Sequence, residues 1–180
     1  MGKVQSRDLE IIISGCKKKD AASFSRLVDA YSTRLYGYFY RLCGDKNVSD
    51  DLLAELFVKL LEKIDYFRGG NFDGWLFTVA SNIWHDRLRA LQRDDKALQG
   101  LREELELSAK QNRMSGQEMR MIDRLGKQLG TLDEESRELI MLRFYSEMSF
   151  KEIAESRKMP IGTVLSKVHR AMAKLRELME

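Results

Sequence analysis

Residues 149–176, SFKEIAESRKMPIGTVLSKVHRAMAKLR, contain two short helical patterns separated by a break, and this stretch decides the fold of the C-terminal part of the chain. Ser149 stands three residues before Glu152, the spacing at which two such side chains cap a helix N-terminus reciprocally. Pro160 lies where a proline can open a second helix but cannot continue the first. The sequence therefore predicts two helices joined by a turn of about four residues.

The second of these helices is predicted to have one apolar face and one polar, basic face. Its apolar residues recur at helical spacing. They are Ile161, Val164, Leu165, Val168, Met172 and Leu175. Between Arg157 and Arg176 there is no Asp or Glu, whereas a merely solvated helix face usually mixes both signs. We therefore expect a helix-turn-helix whose second helix enters the DNA major groove, with a purely structural helix hairpin as the alternative. The residues expected to contact the duplex are Arg157, Lys158, Thr163, Ser166, Lys167 and Arg170.

Length and composition permit two small domains or one large one. The chain has 180 residues, 43% of them hydrophobic, and a net charge of only +3, so the distribution of charge matters more than its sum. Cys16 and Cys43 lack metal-ligand spacing, so we expect no zinc site, no disulfide framework and no cofactor. The apolar run at 11–13 is too short for a signal peptide or a membrane span, which predicts a cytoplasmic protein.

Apolar residues at three- and four-residue spacing and a single proline predict an all-α protein. A first long helix, ending at Gly44, is expected to bury eight residues. They are Phe24, Leu27, Val28, Tyr31, Leu35, Tyr38, Phe39 and Leu42. A second helix is expected to begin at 49–51 and to have more apolar surface than one buried stripe needs. Its apolar residues are Leu52, Leu53, Leu56, Phe57, Leu60, Leu61 and Ile64. Burial between two neighbours is the favoured explanation, and an apolar patch left for a partner is the alternative.

A glycine pair, Gly69 and Gly70, lies in an aromatic-flanked loop that precedes a third long helix. Asp73 is expected to cap that helix. Its core side chains should be Trp75, Leu76, Phe77, Val79, Ala80, Ile83 and Leu88. Other faces should carry Asn82, Trp84, His85, Arg87, Arg89 and Arg93. Cations and amides beside rings suit single-stranded nucleic acid, and the alternative is that the rings only fill a core.

The apolar pattern weakens from Asp94 to about Met121, which predicts a linker. The sequence is therefore divided into an N-terminal helical domain at 1–93, a flexible linker at 94–121 and a C-terminal helix-turn-helix domain at 122–180. A coil of about 30 residues spans roughly 30 Å, and about 100 Å when stretched, so the two domains can hold separate sites. The C-terminal core is expected to include Ile122, Leu125, Leu129, Leu132, Leu139, Ile140, Leu142 and Phe144.

Three segments, in this order, resemble the extracytoplasmic-function sigma factors, which carry bacterial RNA polymerase to promoters. DDLLAELFVKL resembles the family's core-binding segment at Asp51, Leu52, Glu55 and Phe57. FDGWLFTVASNIWHDRLR resembles the family's tryptophan helix at Trp75, Leu76, Val79, Ala80, Asn82, Asp86 and Arg89. Residues 139–176 resemble the C-terminal signature at Leu142, Ser149, Glu152, Ile153, Ala154, Gly162, Thr163, Val164, Ser166, Arg170, Leu175 and Arg176.

The resemblance implies that the N-terminal domain binds the polymerase core and melts the promoter −10 element, while the C-terminal domain binds the −35 duplex. It implies polymerase contacts from Asp51, Leu52, Glu55, Leu56 and Phe57. It implies capture of a flipped base of the −10 strand by the loop Arg68, Gly69, Gly70, Asn71 and Phe72. The polar side chains of the third long helix that suit single-stranded nucleic acid are expected to extend the −10 contacts. They are Asn82, Arg87 and Arg89. An inhibitory anti-sigma factor is a further partner that the resemblance implies.

The chain departs from the family pattern at a few positions. Ala54 stands where the family has a glutamine before the residue matched by Glu55. In the helix-turn-helix, Lys158 replaces the family's turn glycine, Pro160 its cap serine and Leu165 a frequently basic residue. Asp133 replaces the proline that often follows the residue matched by Leu132. A stand-alone helix-turn-helix regulator and a helical scaffold are the rival interpretations. An enzyme is the least expected class, because the sequence has no catalytic triad, paired carboxylates or phosphate-binding loop.

Overall fold

The computed structural model describes the backbone of residues 6–97 and 128–178, and the side chains of 8–91 and 128–178. Its helices are α1 Ser6–Lys17, α2 Ala21–Cys43, α3 Lys46–Lys63, α4 Phe72–Ala97, α5 Glu134–Ile140, α6 Phe150–Arg157 and α7 Ile161–Glu177. A 3₁₀ turn, Ile64–Tyr66, follows α3, and a π-helical turn, Met141–Tyr145, follows α5. The predicted all-α fold class is confirmed. No helix in the described ranges has the length and apolar character needed to cross a membrane.

Helix α2 forms the centre of the N-terminal core. The Asp20 side chain caps it by accepting a hydrogen bond from the Ser23 backbone N–H at 2.9 Å, and Gly44 ends it with φ of 72°. Of the eight side chains predicted to be core, six are buried. Phe24 and Val28 are only half-buried. Phe24 lies at the rim, where its ring meets that of Phe57 on α3 edge-on, with centroids 6.2 Å apart.

Helix α3 begins at Lys46, earlier than the predicted start at 49–51. Asp45 accepts a hydrogen bond from the Val48 backbone N–H at 2.9 Å, so a cap is available one turn earlier. Leu52, Leu56 and Leu60 are buried against the neighbouring helices. Leu61 is 48% exposed. The favoured explanation of the apolar excess, burial between two neighbours, is therefore wrong for this part of the helix, and an apolar surface patch remains.

Asn71, and not Asp73, caps helix α4. Asn71 Oδ1 accepts a hydrogen bond from the Gly74 backbone N–H at 3.0 Å. Asp73 instead accepts hydrogen bonds from the Tyr31 hydroxyl at 2.6 Å and from the Arg34 guanidinium at 2.8 Å, which ties α4 to α2. The predicted capping role of Asp73 is wrong because its carboxylate is occupied by these two donors.

The core face of α4 is wider than predicted. Leu76, Phe77, Val79, Ala80 and Ile83 are buried, as expected. Trp75 and Leu88 are only half-buried. Trp84, which was assigned to another face, is only 5% exposed, and that assignment is wrong. The helix is covered on more than one side, because α3 contacts it and the C-terminal unit also reaches it through Ser81 and His85.

Helix α4 runs to Ala97, four residues into the predicted linker. The remainder of that linker, at 98–121, lies outside the described residues, as do Ile122 and Leu125 and the side chain of Arg93.

In the C-terminal unit Asp133 caps α5 by accepting from the Ser136 backbone N–H at 2.9 Å. The core residues Leu129, Leu132, Leu139, Ile140 and Leu142 are buried, as predicted. Phe144 is 55% exposed, so its core assignment is wrong. The π-helical turn inserts an extra residue per turn and rotates this position outward, while Met141 and Met148 are buried instead.

The predicted helix-turn-helix is present as α6 and α7. The Ser149 backbone N–H donates to Glu152 at 2.7 Å and the Glu152 backbone N–H donates to Ser149 Oγ at 3.2 Å, which confirms the capping box. The turn comprises only 158–160. The buried stripe of α7 is Val164, Val168, Ala171 and Leu175. Ile161, Leu165 and Met172 are exposed, so the apolar face is narrower than predicted. Its residues are spaced by four, three and four positions, so they form one narrow face of the helix that a single neighbouring layer can cover.

Lys158 occupies the turn position that the family pattern gives to glycine. It adopts the left-handed conformation, with φ of 52° and ψ of 43°, and ends α6. An L-residue with a Cβ is strained in this region, whereas glycine is not.

We predict that Lys158→Gly raises the free energy of unfolding by about 1 kcal/mol, because the strain at φ of 52° exceeds the entropy that glycine loses. Chemical denaturation monitored by circular dichroism measures the change. Lys158→Ala, which removes the same charge but keeps the Cβ, should give no gain. A destabilised glycine variant would contradict the assigned conformation.

Candidate nucleic-acid interface

The exposed ridge of α7 carries four of the six residues predicted to meet duplex DNA, namely Thr163, Ser166, Lys167 and Arg170. Ser166 and Arg170 are exposed, and Thr163 is half-buried. The Ser166 hydroxyl donates to the Thr163 carbonyl at 3.0 Å, and Arg170 Nε donates to the Ser166 carbonyl at 3.3 Å. These local hydrogen bonds hold the Ser166 and Arg170 side chains against the backbone of the preceding turn. The ridge therefore offers hydroxyls and a guanidinium at the spacing of successive helical turns.

Lys167 has a different environment from its neighbours on this ridge. Its ammonium group forms an ion pair with Glu135 of α5, and its side chain is 27% exposed. Lys174 donates from Nζ to the Thr131 carbonyl at 2.6 Å. These contacts fasten α7 to the rest of the C-terminal unit. Lys167 must exchange Glu135 for a phosphate or a base before it can contribute to DNA binding.

Arg157 does not lie on the DNA-facing ridge in this structure. Its side chain is 15% exposed, and its guanidinium donates to Ser81 Oγ of α4 at 3.1 Å. The same guanidinium lies 3.5 Å from the carboxylate of Glu138. Lys158, the next residue, is exposed. The two cations at the end of α6 are therefore separated, one facing the N-terminal unit and the other facing solvent.

The loop before α4 contains two glycines and packs on a cluster of three aromatic side chains. Gly69 and Gly70 have φ of 102° and 90°, and a Cβ on either would meet no described atom within 4 Å. Glycine is thus required by backbone conformation and not by crowding. Beneath the loop the rings of Phe67, Phe72 and Trp75 lie with centroids 5.2 to 5.6 Å apart. Phe72 is only 3% exposed, so it supports the loop from below, whereas Arg68 is exposed.

The base of this loop is also tied to α2. Burial, reinforced by the hydrogen bond to Asp73, raises the pKa of Tyr31 above its usual range. The Tyr31 hydroxyl therefore remains a donor to Asp73, and its ring packs on Phe72 with centroids 5.7 Å apart. Lys17 of α1 donates from Nζ to the Phe67 carbonyl at 2.6 Å. The loop is held at a fixed position on the N-terminal unit.

Asn71 has both ends of its amide occupied. Its oxygen caps α4, and its Nδ2 donates to Glu152 Oε1 of α6 at 2.6 Å. Burial opposes ionisation of Glu152, but hydrogen bonds from Ser149 and Asn71 outweigh this effect and lower its pKa. Glu152 therefore remains an anionic acceptor that links α6 to the glycine loop.

The remaining residues proposed for the single strand lie on α4. Asn82 and Arg87 are exposed. Arg89 is also exposed and forms an ion pair with Asp86. These three side chains extend the polar surface from the glycine loop towards the C-terminal end of the helix.

The core-binding segment presents one exposed face of α3. Among its predicted contacts, Asp51 and Glu55 are exposed and Phe57 is half-buried, while Leu52 and Leu56 are buried and can only position their neighbours. Val58, which sequence reasoning missed, is 59% exposed. The exposed face follows helical spacing through Asp51, Ala54, Glu55, Val58 and Leu61. The apolar excess of this segment was the signal that could have identified Val58.

Comparison with protein families matches both described parts of the chain. Residues 27–94 match the model of Sigma-70 region 2, and residues 128–177 match the model of Sigma-70, region 4. The glycine loop, the tryptophan helix and the α3 face lie within the first match, and the helix-turn-helix lies within the second. The fold and the site therefore define a sigma factor built from regions 2 and 4.

Individual relatives narrow the class from sigma factors in general to ECF sigma factors. The chain is 30% identical over 173 residues to the ECF RNA polymerase sigma-E factor of Escherichia coli (strain K12), covering 90% of this chain and 89% of that protein. It is 26% identical to the ECF RNA polymerase sigma factor SigW of Bacillus subtilis (strain 168), covering 92% and 93%. Among solved structures, the sigma factor RpoE of Bartonella quintana, in complex with the anti-sigma factor NepR, has a TM-score of 0.68 at 26% identity, with 87% and 96% covered.

The chain belongs to the extracytoplasmic-function sigma factors, and it directs RNA polymerase to promoters. The rival interpretation, a stand-alone regulator, is not favoured because region 2 accounts for the N-terminal helices. Sigma factors are, in general, regulators of transcription and not catalysts.

Proposed function

We propose that this sigma factor reads two forms of one promoter with two surfaces, a −35 duplex with the ridge of α7 and an unpaired −10 base with the loop at 68–72. The face of α3 binds the polymerase core. The observation that carries the proposal is the ridge of α7, which is exposed, basic and free of carboxylates from Ile161 to Arg176. In the sequence-based division, 1–93 would perform the −10 and polymerase functions, 94–121 would join the domains, and 122–180 would bind the −35 element.

For the −35 element, Arg170 and Lys167 are the principal contacts. A guanidinium can form two hydrogen bonds to a guanine edge and discriminate by about 1 to 3 kcal/mol. An ammonium on a phosphate adds affinity without sequence information. Thr163 and Ser166 lie on the same helix as these cations, and Lys158 is exposed in the turn that precedes it. Arg157 could join them only after it leaves Ser81 and Glu138.

For the −10 element, the glycine loop binds an unstacked base. Unstacking costs a few kcal/mol, and contacts with the captured base recover that energy, so selection of the base also favours the melted state. Asn71 supplies its Nδ2 amide group once that group leaves Glu152, and Arg68 supplies a cation for the neighbouring phosphate. Asn82, Arg87 and Arg89 continue the path of the strand along α4. Because melting then depends on binding energy, the sigma factor needs no catalytic residue of its own.

For the polymerase, the exposed face of α3 meets the clamp helices of the largest subunit. Val58 and Leu61 supply apolar contact, and Asp51 and Glu55 supply charge at its border. An apolar centre with a polar rim is the usual composition of a protein interface. This interaction places the chain in the cytoplasm, where the polymerase acts.

An inhibitory protein partner is a further part of the proposal. The RpoE structure of Bartonella quintana is a complex with an anti-sigma factor. A protein of that class would be expected to compete for the same exposed faces of this chain.

For the proposed function, the first prediction concerns Arg170. Arg170→Ala should weaken binding of a −35 duplex by about 1 to 3 kcal/mol while leaving polymerase association intact, because the side chain lies on α7, away from α3. Fluorescence anisotropy with a labelled duplex and size exclusion with core polymerase measure the two effects. Arg26→Ala, which removes the same charge from an exposed site on α2, is the control. Equal loss of both activities would point to misfolding and contradict the assignment.

The second prediction concerns Asn71. Asn71→Ser keeps a good helix cap but removes the amide, so α4 should stay intact while open-complex formation slows about tenfold, the effect of about 1.4 kcal/mol. Permanganate footprinting of the melted strand over time provides the measurement. Asn47→Ser, in the exposed first turn of α3, should leave the rate unchanged. An unchanged footprint in the Asn71 variant would remove the loop from the mechanism.

The third prediction concerns Val58. Val58→Asp would bury a charge in the polymerase interface and should weaken core binding by at least about 2 kcal/mol. Ile11→Asp on α1 is a matched control, because Ile11 and Val58 are 60% and 59% exposed. Surface plasmon resonance with immobilised core polymerase compares the variants. If both substitutions weaken binding to the same extent, the α3 face is not the polymerase contact.

A further inference from the structure

An exposed leucine interrupts the polar surface of the DNA-facing helix. Leu165 is 43% exposed, although its spacing predicted a place on the buried face of α7. It stands where the family frequently has a basic residue, so this point of the helix carries no charge. The principal contacts assigned to the −35 duplex, Lys167 and Arg170, leave this side chain without a role.

The packing of α7 fixes the direction of Leu165. Val164 and Val168, on either side of it in the sequence, are buried. Lys167 forms an ion pair with Glu135 of α5. Because each residue turns an α-helix by about 100°, Leu165 lies about 200° around the helix from Lys167. It is therefore on the flank of α7 that faces away from α5.

Leu165 shares one exposed surface with the polar residues of the ridge. His169 follows Leu165 by four residues and Ser166 by three, so it lies beside both, and it is exposed. Arg170 follows Ser166 by four residues and borders the other side of this surface. The exposed surface thus changes from apolar at Leu165 to hydroxyl at Ser166 and cationic at Arg170. A major groove that admits a helix can meet all of these groups together.

The start of α7 is open to close approach by DNA. In helix-turn-helix proteins the N-terminal residues of the second helix contact base edges. Leu165 lies in the second turn of α7, which begins at Ile161. Gly162, in the first turn, is exposed, and a Cβ there would meet no described atom within 4 Å. No carboxylate lies between Ile161 and Arg176, so nothing in this part of the helix repels a phosphate backbone.

The chemistry of a leucine selects one feature of the groove. Its side chain has no donor or acceptor, so pressing it against the acceptors of a guanine edge would leave them unpaired. The C5-methyl group of thymine is the apolar group that the major groove presents, and apolar side chains contact it. The cations around Leu165 favour a polyanionic occupant over an apolar protein surface.

We propose that Leu165 is a specificity-determining residue that selects a thymine in the −35 duplex by contact with its C5-methyl group. This inference rests on the proposed function of α7. A basic side chain at the same position would select guanine through its O6 and N7 acceptors. The departure from the family pattern at Leu165 therefore changes which base pair this sigma factor prefers.

The test removes the methyl group from the DNA and the leucine from the protein. The holoenzyme, assembled from the full chain and core polymerase, first selects a promoter from a random-sequence library. Each −35 thymine is then replaced in turn by deoxyuridine, which lacks only the C5-methyl group. For the wild type, one replacement should weaken binding about fourfold, the effect of burying one methyl group. Competition against a labelled promoter measures the affinities.

In the Leu165→Ala holoenzyme the same deoxyuridine replacement should have no effect. Leu178→Ala is the matched control, because Leu178 is also a leucine at the surface of the C-terminal unit and is 46% exposed. It lies 13 residues further along the chain, or about 20 Å along a helix, and should keep the fourfold sensitivity. Leu165→Lys should reverse the preference, so that a promoter with guanine at this position binds about tenfold better than one with thymine.

Two results would overturn the role of Leu165 alone. One is a set of deoxyuridine promoters that the wild type binds as well as the original, or a sensitivity that persists in Leu165→Ala. The other is a Leu165→Ala variant that loses association with core polymerase, which would make this leucine a protein contact. In both cases Arg170→Ala would still weaken promoter binding. If Arg170→Ala has no effect, or no promoter is selected, the proposed function of α7 fails and this inference fails with it.

Discussion

The carboxylate of Glu138 is the constraint on which the arrangement of the two units depends. A charge without exposed surface is tolerated only when donors surround it, and its donors come from both sides of the interface. Ser81 and His85 are one helical turn apart on α4, so α5 must cross that helix at one position. The Tyr145 hydroxyl lies against Gly37 of α2, and Glu152 accepts a hydrogen bond from Asn71, across the same interface. Region 4 is thereby placed on region 2.

The local fold was readable from the sequence because local chemistry determines it. Ser149 and Glu152 form the predicted capping box, and the proline before α7 marks the turn as expected. The six buried residues of α2 follow from helical periodicity. The resemblance to sigma factors is confirmed by the matches to regions 2 and 4, and the glycine loop and the ridge of α7 lie within those matches. At Lys158 the local conformation is retained without the residue that favours it, because the lysine adopts the left-handed conformation of the family's turn glycine.

The contacts between units were not readable, because no periodic pattern encodes them. Nothing in the sequence distinguishes Glu138 from Glu135, yet Glu138 is fully buried while Glu135 pairs with Lys167 on the surface. Helix periodicity also failed for Trp84 and Phe144. Trp84 is buried because α4 has a second packing surface, and Phe144 is exposed because it lies in a π-helical turn. Val58 was overlooked because exposure of an apolar side chain depends on which neighbours are present.

The central claim is that the two units must separate for both promoter elements to be held. Single-molecule energy transfer between bio-orthogonal labels at Asp29 of α2 and Ala173 of α7, both exposed, tests this most directly. The account predicts high transfer efficiency in the free chain and low efficiency in the polymerase open complex, because the two elements lie about 25 base pairs, or roughly 85 Å, apart along B-form DNA. Unchanged high efficiency in an open complex that is active in transcription would contradict it.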